Sequence, residues 1–186
     1  IGTDGLALIS YYDATNSDLK VAHCSNVVCT TATLTALDSA GSVGQYSSVT
    51  IGTDGLALIS YYDASNCDLK VAHCSNVVCT SATLTTVDSA GSVGQYSSVT
   101  IGTDGLALIS YYDATNSDLK VAHCTNVVCT AATLTTVDSA GSVGQYSSVT
   151  IGADGLALIS YYDETNGDLK VAHCSNILCV PYHRRR

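Results

Sequence analysis

The sequence predicts an all-β fold: a β-propeller of four-stranded antiparallel blades, with no helix. Three observations support this prediction. The same text restarts at Ile1, Ile51, Ile101 and Ile151, and a long, near-perfect period indicates repeated packing units. Each period holds four strand-like runs, and four antiparallel strands in about fifty residues match one propeller blade. No segment shows the apolar period of about 3.6 residues that marks a helix.

The four strands of one blade follow each other through turns of recognisable chemistry. They are expected at residues 46–51, 56–62, 69–74 and 83–87. The pair Asp54-Gly55 is a hairpin signal between the first two. The second strand is almost entirely apolar, which predicts burial on both faces. Residues 63–68 form a turn rich in Asp and Asn, and residues 88–94 are expected to be a flexible linker to the next blade.

We expect one repeat domain over residues 1–186, with units 1–50, 51–100, 101–150 and 151–179 and a non-repeat tail, 180–186. The pattern predicts fourteen strands, because the first blade lacks its inner strand and the last its outer strand. Because Pro181 has no backbone amide to donate, the tail could replace the missing outer strand only at the edge of a sheet. Three closures stay open: an imperfect four-bladed ring, an eight-bladed ring of two chains, or part of a longer array. Because the chain has no Met, we expect it to be processed, trimmed or a fragment.

Composition favours a folded protein and disfavours nucleic-acid binding. The chain is 46% hydrophobic and only 12% charged, which argues against disorder. Its net charge of −9 opposes binding to a phosphate backbone, which needs clustered cations. The basic run at residues 184–186 is expected to be a solvated end. No apolar run reaches the length of a membrane span, about 18 residues.

Each unit contains two cysteines five residues apart. A metal site using the preceding His, such as His23, is disfavoured because adjacent strand residues point to opposite faces. Free buried thiols remain an alternative, but local disulfides are preferred, and four of them imply an oxidising compartment. The expected disulfide cysteines are Cys24, Cys29, Cys74, Cys79, Cys124, Cys129, Cys174 and Cys179. Cys67, in a turn, is expected to be a free exposed thiol or an intermolecular crosslink.

Two further groups could bind ligands. One is the recurrent acidic turn, whose oxygen ligands could hold Ca²⁺, although ordinary turn chemistry is the preferred explanation. Its residues are Asp13, Asn16, Asp18, Asp63, Asn66, Asp68, Asp113, Asn116, Asp118, Asp163, Asn166 and Asp168. The other is the pair Tyr11-Tyr12 with its equivalents, which could offer a sugar-stacking surface or serve as core and rim aromatics. No other cofactor is expected.

An enzyme is not predicted. No repeat contains the arginines that a sialidase-like site needs, Glu164 is the only glutamate, and no phosphate loop or serine elbow appears. Near-identical copies would give a repeated surface, which suits multivalent binding better than catalysis.

The string ISYYDATNSDLKVAHC, followed by a VDSAGSVGQYSS-type linker, resembles tandem repeats of bacterial secreted or surface proteins of the β-propeller type. The resemblance covers the chain except residues 180–186, and departs at Ala57 and Leu58, where that family often has Pro-Val. It implies a fold and a secreted or cell-surface location but no activity.

Three functions follow as hypotheses. The first is a non-enzymatic extracellular scaffold for binding, adhesion or assembly, with self-association into a dimer or array and with a glycan or a surface protein as candidate partners. The second is a calcium- or carbohydrate-binding, lectin-like module. The third is an engineered or purely structural self-assembling repeat.

Overall fold

The computed structural model describes residues 1–180, which form fourteen strands in four antiparallel sheets. Sheet 1 contains β1 (Leu8–Asp13), β2 (Asp18–Cys24) and β3 (Ala32–Asp38). Sheet 2 contains β4 (Val43–Ile51), β5 (Ala57–Asp63), β6 (Asp68–Cys74) and β7 (Ala82–Asp88). Sheet 3 contains β8 (Val93–Ile101), β9 (Ala107–Asp113), β10 (Asp118–Cys124) and β11 (Ala132–Asp138). Sheet 4 contains β12 (Val143–Ile151), β13 (Ala157–Asp163) and β14 (Asp168–His173).

The predicted strand count and its distribution are confirmed: three strands in the first and last sheets and four in each middle sheet. Strands pair with their chain neighbours, so each sheet is a meander whose order follows the sequence. The hairpin at Asp54-Gly55 is also confirmed: the Gly52 amide donates to the Leu56 carbonyl at 2.7 Å, and Gly55 adopts a positive φ of 80°. The prediction for the tail falls on residues outside those described, except Val180.

The core lies between successive sheets rather than within any one of them. In β5 and β9 every residue is buried, which confirms the prediction of burial on both faces. Alternate residues of a strand point to opposite faces. Ile109 and Tyr111 therefore pack towards sheet 2, where they join Leu58, Leu69 and Val71 in one apolar cluster. Equivalent clusters fill the junctions between sheets 1 and 2 and between sheets 3 and 4.

The prediction of a linker at residues 88–94 is wrong at both ends of that range. Asp88 is the last residue of β7 and is buried, and Val93 begins β8 and is fully buried. The first strand of the blade therefore starts three residues before the predicted position. Gly94 allows β8 to approach β6 closely. Its φ is 102°, and a Cβ at this position would lie 2.6 Å from Leu69 Cα. The missing side chain lets β8 cross directly over β6.

Candidate functional site at the junctions between sheets

A buried polar cluster lies at the junction between sheets 1 and 2. Asp38, at the end of β3, reaches into sheet 2. Its Oδ2 accepts hydrogen bonds from the Tyr61 hydroxyl at 2.7 Å and from Lys70 Nζ at 2.6 Å. Lys70 Nζ also lies 3.6 Å from Asp63 Oδ2 and 5.6 Å from the Tyr61 ring centroid. One lysine thus balances two carboxylates beside an aromatic ring, which satisfies groups that would be costly to bury alone.

The electrostatics of this cluster fix which groups carry charge. Burial raises the pKa of Asp38, but the hydrogen bonds from Lys70 and Tyr61 outweigh it, so the pKa lies below its ordinary value. Burial, followed by the bond to Asp38, raises the pKa of Tyr61 far above its ordinary value. The carboxylate is therefore ionised at neutral pH, and the phenol remains a donor. Neither group titrates near neutrality, as a general acid or base would.

The same cluster recurs at each later junction. Asp88 accepts from Tyr111 at 2.7 Å and from Lys120 at 2.6 Å. Asp138 likewise accepts from Tyr161 and from Lys170. We refer to these three groups, each an Asp, a Tyr and a Lys, as the junction clusters. They join a sheet to its predecessor by charge-assisted bonds, which are the stronger kind of hydrogen bond.

Sheet 1 has the tyrosine and the lysine of a junction cluster but not the carboxylate from a preceding sheet. Lys20 instead pairs with Asp13 at 3.2 Å, and the Tyr11 hydroxyl has no hydrogen-bond partner among residues 1–180. Hydrogen bonds from Asn16 and then from Lys20 lower the pKa of Asp13 to about 2. The first copy therefore shows what the repeat looks like without a neighbour on that side.

The histidine of each repeat pairs with the aspartate of the hairpin turn in the same repeat. His23 Nε2 lies 2.8 Å from Asp4 Oδ2, and His73 Nε2 lies 2.8 Å from Asp54 Oδ2. Both histidines are buried. The other oxygen of the same carboxylate caps the turn, since Asp54 Oδ1 accepts from the Leu56 amide at 3.1 Å. The pair links the β4–β5 turn to β6, and no serine or cysteine thiolate completes a nucleophilic triad with it within the described chain.

The acidic turns that were candidates for calcium binding are closed by their own backbone. Asp63 Oδ1 accepts from the amides of Ser65 and Asn66 at 3.0 and 3.1 Å. Its Oδ2 accepts from Asn66 Nδ2 at 2.9 Å. These are the bonds of ordinary Asx turns. Within residues 1–180, no group of three or more His, Cys, Asp and Glu side chains is placed to hold a metal ion.

The paired cysteines form the four predicted local disulfides. Each links the end of a third strand to the short loop that follows it, with Cα atoms 4.7–4.9 Å apart. Four disulfides indicate an oxidising compartment. Cys67 is in no disulfide, and it is half-buried rather than exposed as predicted. It occupies a turn position with a φ of 63°, where the fourth copy has Gly167.

In sheets 2 and 3, the two tyrosines of β5 and of β9 do not form a sugar-stacking rim. Tyr61 and Tyr111 are fully buried in the junction clusters. Tyr62 and Tyr112 are also buried, with hydroxyls 3.3 and 3.5 Å from Ser92 and Ser142 of the next sheet. The interpretation of these residues as core aromatics is therefore the correct one for the inner copies.

A different tyrosine, which sequence reasoning missed, forms an aromatic cluster along the first strands of sheets 2–4. The ring centroids of Tyr46 and Tyr96 are 4.5 Å apart, and those of Tyr96 and Tyr146 are 4.4 Å apart. All three have φ near 54°, at a bulge in the strand. Burial, followed by hydrogen bonding to its two tyrosine neighbours, raises the pKa of Tyr96. The only sequence signal for this tyrosine cluster is its recurrence at the repeat period.

An open groove of about 860 Å³ runs along β11. Its lining consists of residues 133–140 and Val180. Asp138 is the only acidic group there, and its carboxylate is already bonded to Tyr161 and Lys170. Residues 1–180 contain no helix that could span a membrane.

No family model and no curated protein matches the sequence. Solved structures do match in fold. The exo-β-1,3-galactanase from Phanerochaete chrysosporium, solved with β-1,3-galactotriose, has a TM-score of 0.63 at 11% identity, over 96% of this chain and 48% of its own. A β-1,3-galactosidase of glycoside hydrolase group GH43 has a TM-score of 0.63 at 9% identity, over 92% and 44%. An α-L-arabinofuranosidase from Clostridium thermocellum has a TM-score of 0.53 at 14% identity, over 86% and 58%.

These likenesses show the fold alone. The chain resembles β-propeller proteins in its successive three- and four-stranded sheets, and it spans between 44% and 58% of the length of the three structures named above.

Proposed function

We propose that this chain is a non-enzymatic, extracellular β-propeller-type scaffold for binding, adhesion or assembly. One observation carries the proposal: the recurrent polar side chains of the repeat are bonded to each other inside the fold. Asp38-type carboxylates hold Tyr and Lys of the next sheet, Asp54-type carboxylates hold His, and Asp63-type carboxylates close turns. Groups bonded in this way stabilise the structure, because much of their hydrogen-bonding capacity is used within it.

The contrast with the glycoside hydrolases of similar fold supports this proposal. Such enzymes work through two carboxyl groups with different protonation states flanking the scissile bond. In this chain, the junction carboxylates have pKa values below the ordinary one, which suits a permanent counter-ion better than a proton donor. The groove along β11 brings one such carboxylate, Asp138, against an otherwise uncharged wall.

The test is a hydrolysis screen of the purified chain on arabinan and β-1,3-galactan, the polymers nearest to the activities named for the structural neighbours described above. We expect no release of reducing sugar above the level of heat-denatured protein. The variant Asp138→Asn is the matched control for the groove. Turnover that the native chain shows and that this variant loses would overturn the proposal.

A second candidate function, carbohydrate binding, is favoured by the tyrosine cluster. Tyr146 is 65% exposed and Tyr46 is 41% exposed, so aromatic surface remains open at both ends of the row. Sugar rings stack on exposed aromatic faces, and the hydroxyl tips offer hydrogen bonds. The strained φ of these tyrosines holds the rings side by side, and such strain is common at ligand sites.

Calorimetry with β-1,3-linked galactooligosaccharides distinguishes this candidate from a scaffold without a sugar site. Binding that Tyr146→Ala abolishes and Tyr11→Ala retains would support it, because Tyr11 lies outside the tyrosine cluster. No heat at millimolar sugar would exclude it. A parallel titration with Ca²⁺ tests the acidic turns, and Asn116→Ala should weaken any calcium binding located there.

A further inference from the structure

The last sheet has an apolar face that no other part of the described chain covers. Leu169 is 78% exposed and Val171 is 57% exposed, whereas their equivalents Leu69 and Val71 are fully buried. Leu158 is also exposed. In the inner copies these positions pack against the following sheet. We call this surface of β13 and β14 the trailing face.

The first sheet has an uncovered apolar surface on its opposite face. Ile9 is 49% exposed, whereas Ile109 at the same position is fully buried. Tyr11 is half-buried, and the disulfide loop of this sheet exposes Val27 and Val28. In the inner sheet 3, Ile109 and Tyr111 pack against the preceding sheet. We call this surface of β1, β2 and the adjoining disulfide loop the leading face.

The two faces are the two halves of a junction that the chain builds three times internally. Between sheets 2 and 3, Leu58, Leu69 and Val71 on one side meet Ile109 and Tyr111 on the other. The trailing face carries the first set, as Leu158, Leu169 and Val171. The leading face carries the second set, as Ile9 and Tyr11. The side chains are identical, so the shapes that fit inside the chain are also displayed at its ends.

We infer that the trailing face of one chain docks on the leading face of a second copy of the same chain. The contact is heterologous, because two different surfaces meet, so it generates a closed ring or an open array according to the rotation between copies. It deepens the assembly part of the function proposed above. The occupant is a second copy rather than an unrelated partner, since the repeat itself displays the side chains that complete each face inside the chain.

The contact between copies is expected to be weaker than an internal junction. Sheet 1 contains no counterpart of Val93, which packs on Leu69 inside the chain. Sheet 4, over the described residues, contains no counterpart of Asp88 to hold the Tyr11 hydroxyl of the second copy. The net charge of −9 also makes copies repel each other at low salt. Association should therefore rise with protein concentration and with ionic strength, as expected for an apolar contact between like-charged chains.

The test measures mass by analytical ultracentrifugation at concentrations up to about 1 mM, which detects dissociation constants into the millimolar range. Leu169→Glu blocks the trailing face, and Ile9→Glu blocks the leading face. Each variant alone is expected to associate about 100-fold more weakly than the native chain, because a charge replaces a central apolar contact. Leu84→Glu is the control, since Leu84 is half-exposed on an inner sheet and lies on neither face.

Mixing the two blocked variants gives the decisive result. Each keeps one intact face, and the two intact faces are complementary. The mixture should form a one-to-one pair and nothing larger, whereas the native chain assembles further or closes. A native chain that stays monomeric, a blocked variant that assembles normally, or a mixture that stays monomeric would each overturn the inference. Circular dichroism confirms that the variants are folded, and because the readout is mass, failure here is distinct from failure of the hydrolysis or sugar-binding tests.

Discussion

The tyrosine of a junction cluster provides a prediction whose magnitude follows from the structure. Tyr111→Phe removes one hydroxyl and leaves the ring in place. The lost bond is 2.7 Å long, buried, and accepted by the ionised Asp88. Hydrogen bonds to charged groups contribute about 1.5–3 kcal/mol. Since Asp88 keeps its bonds from Lys120 at 2.6 Å and from the Ala90 amide at 3.0 Å, it is not left unpaired, and we expect a loss of about 2 kcal/mol.

Thermal unfolding followed by circular dichroism measures this loss. For a chain of this size, about 2 kcal/mol corresponds to a fall in Tm of about 4–8 °C. Tyr11→Phe is the matched control, because the same change is made in the same local sequence but the hydroxyl has no partner in the described chain. Its Tm should change by less than about 2 °C. Equal shifts for the two variants would refute the reasoning, since the effect would then come from the tyrosine itself and not from the junction.

Three further predictions test other features of the fold. The lowered pKa of Asp88 means that its contribution is complete above about pH 4 and is lost as the pH falls through its folded value; Asp88→Asn should flatten this acid limb of a stability–pH profile. Replacing Cys124 and Cys129 together by serine should cost about 2 kcal/mol in urea unfolding, as expected for so short a loop, and an unchanged midpoint would contradict it. Gly94→Ala should cost about 3 kcal/mol, because a Cβ would lie 2.6 Å from backbone. Gly5→Ala, with a φ of 78° and no atom within 4 Å, should cost only about 1 kcal/mol, and equal costs would argue against the steric explanation.

Strand number, strand order and disulfide pairing could be predicted from the sequence because each depends on local pattern. Hairpin turns and apolar runs determine the order of the strands. The two cysteines of each pair are five residues apart, which is close enough along the chain for them to bond to each other. The error at residues 88–94 has a different cause. Ser, Gly and Asp are typical of linkers, yet Gly94 is needed for the close crossing over Leu69, and Asp88 is buried because Lys120 and Tyr111 of the next sheet hold it. Contacts between repeats leave no mark in the local pattern.

The junction clusters were missed for the same reason. Asp88 is 23 positions from Tyr111 in the chain and 32 positions from Lys120. Each of the three residues also has an ordinary local explanation. Asp88 looks like a turn residue, Tyr111 like a core aromatic and Lys120 like a solvated strand residue. Only the stacking of one sheet on the next brings them together. A repeat sequence hides such groups well, since every copy carries all three residue types.

Near-identity of the repeats makes position in the stack the variable that decides what a residue does. Tyr11 and Tyr111 have the same neighbours in sequence, but only Tyr111 has a preceding sheet to supply a carboxylate. Leu169 and Leu69 differ in the same way on the opposite face. In a linear stack of sheets whose two faces complement each other, the first and the last sheet each have one face without a partner. The side chains of the repeat are complementary to both exposed faces, which is the basis of the contact between copies that we propose.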